Sequence, residues 1–257
     1  MDKTLLKGLR VLEAINELDG DALTIDQIAA SIGLTRSNTH RTLQTLAHAG
    51  YILRDPVTGG YRCSLKLFEM GTRLLASFDV RSLAAPFMRS LANDTAETVH
   101  LSVLEGTDVV YIDKIDSAQP IRAYSAIGGR APAYAVATGK ALLAFQPVDY
   151  LSYYQTTLQQ HTAATHANVD VLRQELQKIA IKGYACNRGE WRENVGGVAS
   201  PIFNGLGRTI AALGISGPLD RLTIERMESV APLVLKSAQE LSRQLGFRGE
   251  YVGKIAM

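Results

Sequence analysis

An α+β fold is predicted for this 257-residue chain on three observations. Residues 24–49 hold two runs of helical periodicity separated by Gly33, and residues 51–64 hold two short strand-like runs around a turn. Beyond about residue 80, alternating runs at 97–106, 109–113, 121–126, 199–203 and 209–216 are interleaved with helical ones, the pattern of a mainly antiparallel sheet with helices on it. A composition of 46% apolar and 20% charged residues suits a protein with a substantial core. No apolar run approaches the roughly 20 residues needed to span a bilayer. The N-terminus lacks the apolar stretch of a secretory signal, so a cytoplasmic protein without a membrane partner is expected.

The elements follow in order. A first helix is expected over Thr4–Leu18, with Leu5, Leu9, Leu12 and Ile15 as its packing face and Asp19-Gly20-Asp21 ending it. Thr24 and Gln27 have the spacing of a capping box for a second helix, in which Ile25, Ile28, Ala29 and Ile32 face inward. Gly33 suits the left-handed residue that closes it. Thr35 caps a third helix, with Thr39, Leu43, Leu46 and Ala47 as its core stripe. Strands near 51–54 and 61–64 flank Asp55-Pro56-Val57-Thr58-Gly59-Gly60, a run dense in turn formers. Two helices across a tight turn, then a hairpin, make a winged helix-turn-helix.

The outward side chains of the third helix point to DNA. Ser37, His40, Arg41 and Gln44 form one stripe, with Arg36 and Asn38 in the first turn. All can donate hydrogen bonds and none is a carboxylate, whereas a solvated helix face usually mixes signs. Arg matches guanine, and Asn or Gln matches adenine, in the major groove. Arg54 and Arg62 flank the hairpin turn, where they can reach the DNA backbone. The net charge is only +2, but residues 36–62 carry Arg36, Arg41, Arg54 and Arg62 against Asp55 alone, while residues 1–35 are acidic in balance.

Ser64 is expected to cap a connecting helix over 64–79, with a seam of Leu67, Met70 and Leu74 that fits either an internal core or a dimer surface. Further helices are expected at Ala84–Leu91, from Ala137 to Ala144, from Asn168 to about Lys182, and over about Thr223–Leu245. The domain boundaries expected are 1–63 for the DNA-binding unit, 64–79 for the linker helix and 80–257 for the remainder.

Enzymatic motifs fail on inspection. Thr138-Gly-Lys-Ala lacks both the upstream glycine (Tyr134 stands there) and the hydroxyl residue (Ala141) of a phosphate loop, so Lys140 reads as structural. His161 and His166 have no third metal-type ligand at close spacing. Ser200 precedes Pro201 rather than sitting in a nucleophile elbow. Cys63 and Cys186 lie too far apart in sequence for a Cys-x-x-Cys pair and read as reduced thiols. No enzyme, cofactor or metal is expected.

Four segments in register resemble one family. They are the winged helix, the run Gly129-Arg-Ala-Pro-Ala-Tyr-Ala-Val-Ala-Thr-Gly-Lys-Ala-Leu-Leu-Ala144, Lys182-Gly-Tyr-Ala185, and the pair Val198-Ala-Ser-Pro-Ile-Phe203 and Ala211-Ala-Leu-Gly-Ile-Ser-Gly-Pro218. Together they resemble the IclR family of bacterial transcription regulators. The resemblance implies a linker helix and an effector domain similar to GAF domains, a dimer or a dimer-of-dimers tetramer, and operator DNA as partner. It implies a repressor of a catabolic operon whose effector is a small organic or aromatic acid. Carried over by motif, the effector pocket would be lined by Ala131, Ala137, Thr138, Asn187, Gly197, Gly214 and Ser216. The amides of Ala137 and Thr138 would hold a carboxylate, and the two glycines would leave room for a bulkier ligand. Trp191 fits a pocket lid or a surface contact, and Arg130 a ligand partner or a solvated loop. The alternative function is a small-molecule-binding protein whose winged helix contacts protein.

Overall fold

The computed structural model describes residues 1–18, 22–70, 80–154 and 158–251. The chain divides into two compact units, Met1–Ser77 and Phe78–Met257.

In the first unit, α1 (Lys3–Glu17), α2 (Ile25–Ile32) and α3 (Arg36–His48) precede a hairpin of β1 (Ile52–Arg54) and β2 (Tyr61–Cys63). Asp2 caps α1 by accepting from the amides of Thr4 and Leu5. Thr24 and Gln27 close a reciprocal capping box on α2, and Gly33 ends that helix at φ 65°. Thr35 accepts from the Asn38 amide to start α3. Val11, Ile15, Leu23, Ile28, Leu43, Ile52 and Tyr61 form the core. The expected face of α1 is corrected here. The buried residues are Val11, Ala14 and Ile15, while Leu5 is 63% and Leu9 49% exposed. The apolar stripe of α1 is wider than the face the unit itself covers. Residues 65–70 are helical, and the Lys66 amide donates to Ser64 Oγ at 3.3 Å. The remainder of the expected connecting helix, with Leu74, and the expected helix stop at 19–21 fall outside the described residues.

The second unit is built on a six-stranded sheet of order β5-β4-β3-β8-β7-β6, antiparallel throughout. Its strands are β3 (Thr98–Glu105), β4 (Asp108–Ile115), β5 (Arg130–Pro132), β6 (Ala185–Arg188), β7 (Val195–Phe203) and β8 (Thr209–Pro218). α4 (Val80–Thr95) and α7 (Ile224–Gln244) cover one face, through Met88, Leu91, Val230, Val234 and Leu241 against Val99, Leu101, Ile202, Leu213 and Ile215. Each such fully buried aliphatic side chain contributes about 1.5–3 kcal/mol relative to exposure. The other face carries the 3-10 turn Ala133–Ala135, α5 (Ala137–Leu143) and α6 (Val169–Lys182). α6 runs as expected, from the Asn168 cap to Gly183 at φ 77°.

One expectation in this sheet is corrected and one strand is added. Ile121–Ala126 is not a strand but part of a loop, and the third strand in sequence is Arg130–Pro132 on β4. The loop's alternating residues mimic a strand, but Ile121 and Tyr124 are 70% and 80% exposed and join no strand ladder among the described residues. β6 was not anticipated, because four residues are too few to show a period.

Candidate functional site

Two surfaces carry chemistry. On α3, Arg36, Ser37, Arg41 and Gln44 are exposed, and Asn38 and His40 half-buried. Arg41 Nη2 donates to Asn38 Oδ1 at 2.9 Å, which orders both side chains on the outer face. The stripe itself is free of acids, but the tertiary fold supplies one: Asp26 of α2 pairs with Arg36. Both partners are about two-thirds exposed, so this ion pair is weak and open to competition from phosphate.

The hairpin turn is rigid. The Asp55 carboxylate accepts from the amides of Thr58 and Val57 and from the Thr58 hydroxyl, and these bonds hold it below the ordinary carboxylate range. Gly60 has no room for a Cβ, which would lie 2.4 Å from the Ala22 carbonyl oxygen. That close approach lets Leu23 bridge to Tyr61. The register pairs Leu53 with Arg62 and Arg54 with Tyr61. Arg62 therefore stands on the outer face of the hairpin, and Arg54 on the face that continues from buried Ile52. Both arginines are exposed, and Arg54 Nε donates to the Gly59 carbonyl at 3.3 Å.

The second surface is a cavity of about 40 Å³ in the other unit. Strand register brings Gly197 opposite Ser216, and Ser216 opposite Thr98 on the far side. His100, Tyr111, Asn187, Gly197 and Ser216 thus line one wall, and Val136, Ala137 and Thr138 at the start of α5 another. Ala123, Tyr124 and Ser125 of the 116–129 loop and Trp191 and Arg192 of the 189–194 loop complete it.

Five of the residues carried over by motif, Ala137, Thr138, Asn187, Gly197 and Ser216, meet at this cavity; Ala131 and Gly214 do not line it. Ala131 is buried in the core, paired with Val109. Gly214 packs against β7, where a Cβ would lie 2.6 Å from that of Ala199. It permits close strand contact and adds no room for a ligand. Asn187 is occupied in shaping the site: its Oδ1 accepts from the Glu190 amide at 3.0 Å and its Nδ2 donates to the Val195 carbonyl at 3.3 Å. No side chain caps the first turn of α5, so the amides of Ala137 and Thr138 have no capping partner.

His100 was missed by sequence reasoning. Its Nε2 lies 2.7 Å from Ser216 Oγ and its Nδ1 3.4 Å from Ser125 Oγ, linking the cavity floor to the 116–129 loop. Burial first, then the charge of Lys114, lower its pKa to about 4, so the imidazole is neutral at pH 7. Its signal was present in the polar alternation of Thr98, His100 and Ser102 along a buried strand. Tyr111 packs 4.8 Å from the His100 ring, and burial raises its phenol to about 12. Trp191 lines the cavity, with the Arg192 guanidinium 4.6 Å above its ring. Arg130 instead faces Asp108 at 3.5 Å on an exposed edge.

The Thr138-Gly-Lys-Ala run has a structural explanation. A Cβ on Gly139 would lie 2.1 Å from the Ala133 carbonyl oxygen, so only glycine lets α5 rest on the preceding turn. Lys140 is fully buried, its Nζ 2.9 Å from Glu175 and 2.5 Å from Glu190. His166 bonds the other oxygen of Glu175. Burial opposes the charge on Glu175, but His166 and Lys140 outweigh it and bring the carboxyl down to about 2. For Glu190 the desolvation prevails and its carboxyl is raised. His166, Glu175 and Glu190 have the spacing of metal ligands, but the Lys140 ammonium already lies against both carboxylates and supplies the cation. His161 bonds the Tyr134 hydroxyl at 2.9 Å. Cys63 and Cys186 are free, and burial raises both thiols.

Comparison with known proteins agrees with both halves. The family described as "IclR helix-turn-helix domain" matches residues 4–56, and "Bacterial transcriptional regulator IclR C-terminal" matches residues 72–243. The HTH-type transcriptional regulator XynR of Escherichia coli K12 is 35% identical over 246 residues, covering 94% of this chain and 96% of its own. The Agobacterium tumefaciens repressor BlcR superposes with a TM-score of 0.77 at 26% identity, over 96% of this chain and 98% of its own. An IclR homologue from Microbacterium hydrocarbonoxydans, solved in complex with 4-hydroxybenzoate, is 25% identical with a TM-score of 0.59, over 95% and 99% of the two chains.

Proposed function

Because the chain belongs to the IclR family, and is a DNA-binding transcriptional regulator rather than an enzyme, we propose that it is a repressor of a catabolic operon that answers to a small organic or aromatic acid. The observation that carries this reading is the presence, in one chain, of a donor-rich exposed helix and of a cavity with convergent polar groups in a separate unit. α3 enters the major groove, with Arg36, Asn38 and Gln44 addressed to base edges and Ser37, His40 and Arg41 to phosphates or adjacent edges. Arg54 and Arg62 add backbone contacts. The effector occupies the cavity beside Ala137, Thr138, Gly197 and Ser216, and shifts DNA affinity by binding one arrangement of the protein more tightly than another. The likeness to BlcR, a repressor, supports repression, and the likeness to the homologue solved with 4-hydroxybenzoate supports an acid ligand.

The protein works in the cytoplasm as a homodimer or a dimer of dimers. Leu5, Leu9 and Phe68 support this assembly, since they expose apolar surface within the first unit that a second copy would bury. Sedimentation of the protein alone tests it, and a monomer at micromolar concentration contradicts it.

DNA recovered by the protein from a random pool gives the probe for gel shifts. Retention of a selected sequence over a scrambled one, with release by an organic acid, is the expected result. Absence of selection would favour the alternative in which the winged helix contacts protein.

A further inference from the structure

The ionic character of the cavity is uneven, and the imbalance says what it binds. Among its lining residues Arg192 alone carries a formal charge at neutral pH, His100 being neutral. Arg221, Arg130, Arg36 and Arg173 each face a carboxylate. Among the described residues Arg192 has no carboxylate partner; its contact is the face of Trp191. Stacking of this kind leaves the N–H edge of the guanidinium free for a bidentate acceptor.

The neutral groups divide as well. Asn187, Ser216, Ser125 and His100 have hydrogen-bond partners. The hydroxyls of Tyr111 and Thr138, on residues 7% and 5% exposed, have none among the described residues and border the cavity. Neither hydroxyl is sealed from the cavity, so each can donate to and accept from a ligand or water there. A second anionic group placed against them would meet no cation, which excludes a dicarboxylate as the best fit.

We propose that Arg192 binds the carboxylate of the effector, and that the effector is a small monocarboxylate bearing a second, uncharged oxygen that meets the Tyr111 and Thr138 hydroxyls. This rests on the reading that the cavity takes the effector. It places the carboxylate at Trp191 and Arg192 rather than on the α5 amides to which the family motif assigns it. One water occupies roughly 10–15 Å³ of such space, so the cavity of about 40 Å³ accepts a two- or three-carbon acid directly. A ring requires the Trp191 or Tyr124 wall to move outward.

Trp191 is the sole tryptophan of the chain, so its fluorescence reports on this wall without a label. The probes are matched acid and amide pairs: glycolate with glycolamide, lactate with lactamide, and 4-hydroxybenzoate with 4-hydroxybenzamide. At least one acid is expected to change the emission saturably, with its amide binding roughly 30-fold more weakly, the ratio of one charge-assisted contact. Arg192→Gln should weaken that acid by a similar factor and leave the amide unchanged, and Arg192→Lys should recover part of the loss. Tyr111→Phe should weaken acid and amide alike. Far-ultraviolet circular dichroism of each variant checks that it is folded.

Three results would overturn the assignment: amides binding as tightly as acids, an acid affinity indifferent to Arg192→Gln, or no response to any acid up to about 20 mM, weaker than any useful effector. Acid binding that depends on Arg192 yet leaves DNA affinity unchanged would instead count against the regulatory reading and leave the subsite standing.

Discussion

Arg36, Ser37, Arg41 and Gln44 stand in solvent on α3, whereas His100 and Thr138 at the cavity are each only 5% exposed. The first surface keeps its side chains loosely held, by one exposed ion pair and one Arg–Asn bond. The second has a strand-borne wall of neutral groups in register, backed by the buried Lys140 and Glu190 and the half-buried Glu175. A polyanion with many equivalent phosphates needs an accessible positive surface, and each contact there adds separately. A small ligand needs preformed positions, which burial supplies at the cost of tolerance to change. The two regions should therefore respond differently to substitution.

The largest effect is expected behind the cavity. Lys140→Met would leave Glu175 and Glu190 without their cation and should cost about 3–5 kcal/mol, read as a lower urea midpoint of the second unit. A loss below about 1 kcal/mol would show that the network is not a buried ion cluster. Next is pH. His100 has its pKa lowered in the folded state, so the unfolded chain binds the extra proton. Its contribution is fully present above the unfolded value near 6.5 and is lost as pH falls toward about 4. The full loss is about 3 kcal/mol, and His100→Gln should flatten the change in unfolding free energy across that window. An unaltered pH profile in the variant would assign the acid sensitivity elsewhere.

Effects on the DNA surface should be smaller and should spare stability. Arg41→Ala should weaken all DNA by about 1–2 kcal/mol and lower the slope of log affinity against log salt by about 1. Asn38→Ala should instead change base preference, by about 1–3 kcal/mol at one position. Equal losses on selected and scrambled DNA for Asn38→Ala would remove it from the reading set. The smallest change is Thr24→Ala, which opens the capping box and should lower stability by about 1 kcal/mol with little change in intrinsic DNA affinity.

The amino-acid sequence alone determined the features whose causes lie within a few residues. Thr24 with Gln27, Gly33, Thr35, Asn168 and Gly183 mark helix ends because a cap bonds amides two or three positions away, or needs a positive φ at one residue. The same locality made the acid-free stripe of α3 and the hairpin turn legible. Tertiary structure decided the rest. Leu5 and Leu9 share an apolar helix face with Ile15, yet only the packing of the unit tells which of them it buries. Tyr111, Asn187, Trp191 and Ser216 converge through strand pairing across more than a hundred residues, so no spacing in the sequence could announce the cavity. Lys140 became legible only with Glu175 and Glu190 around it, because a buried charge is defined by its neighbours in space.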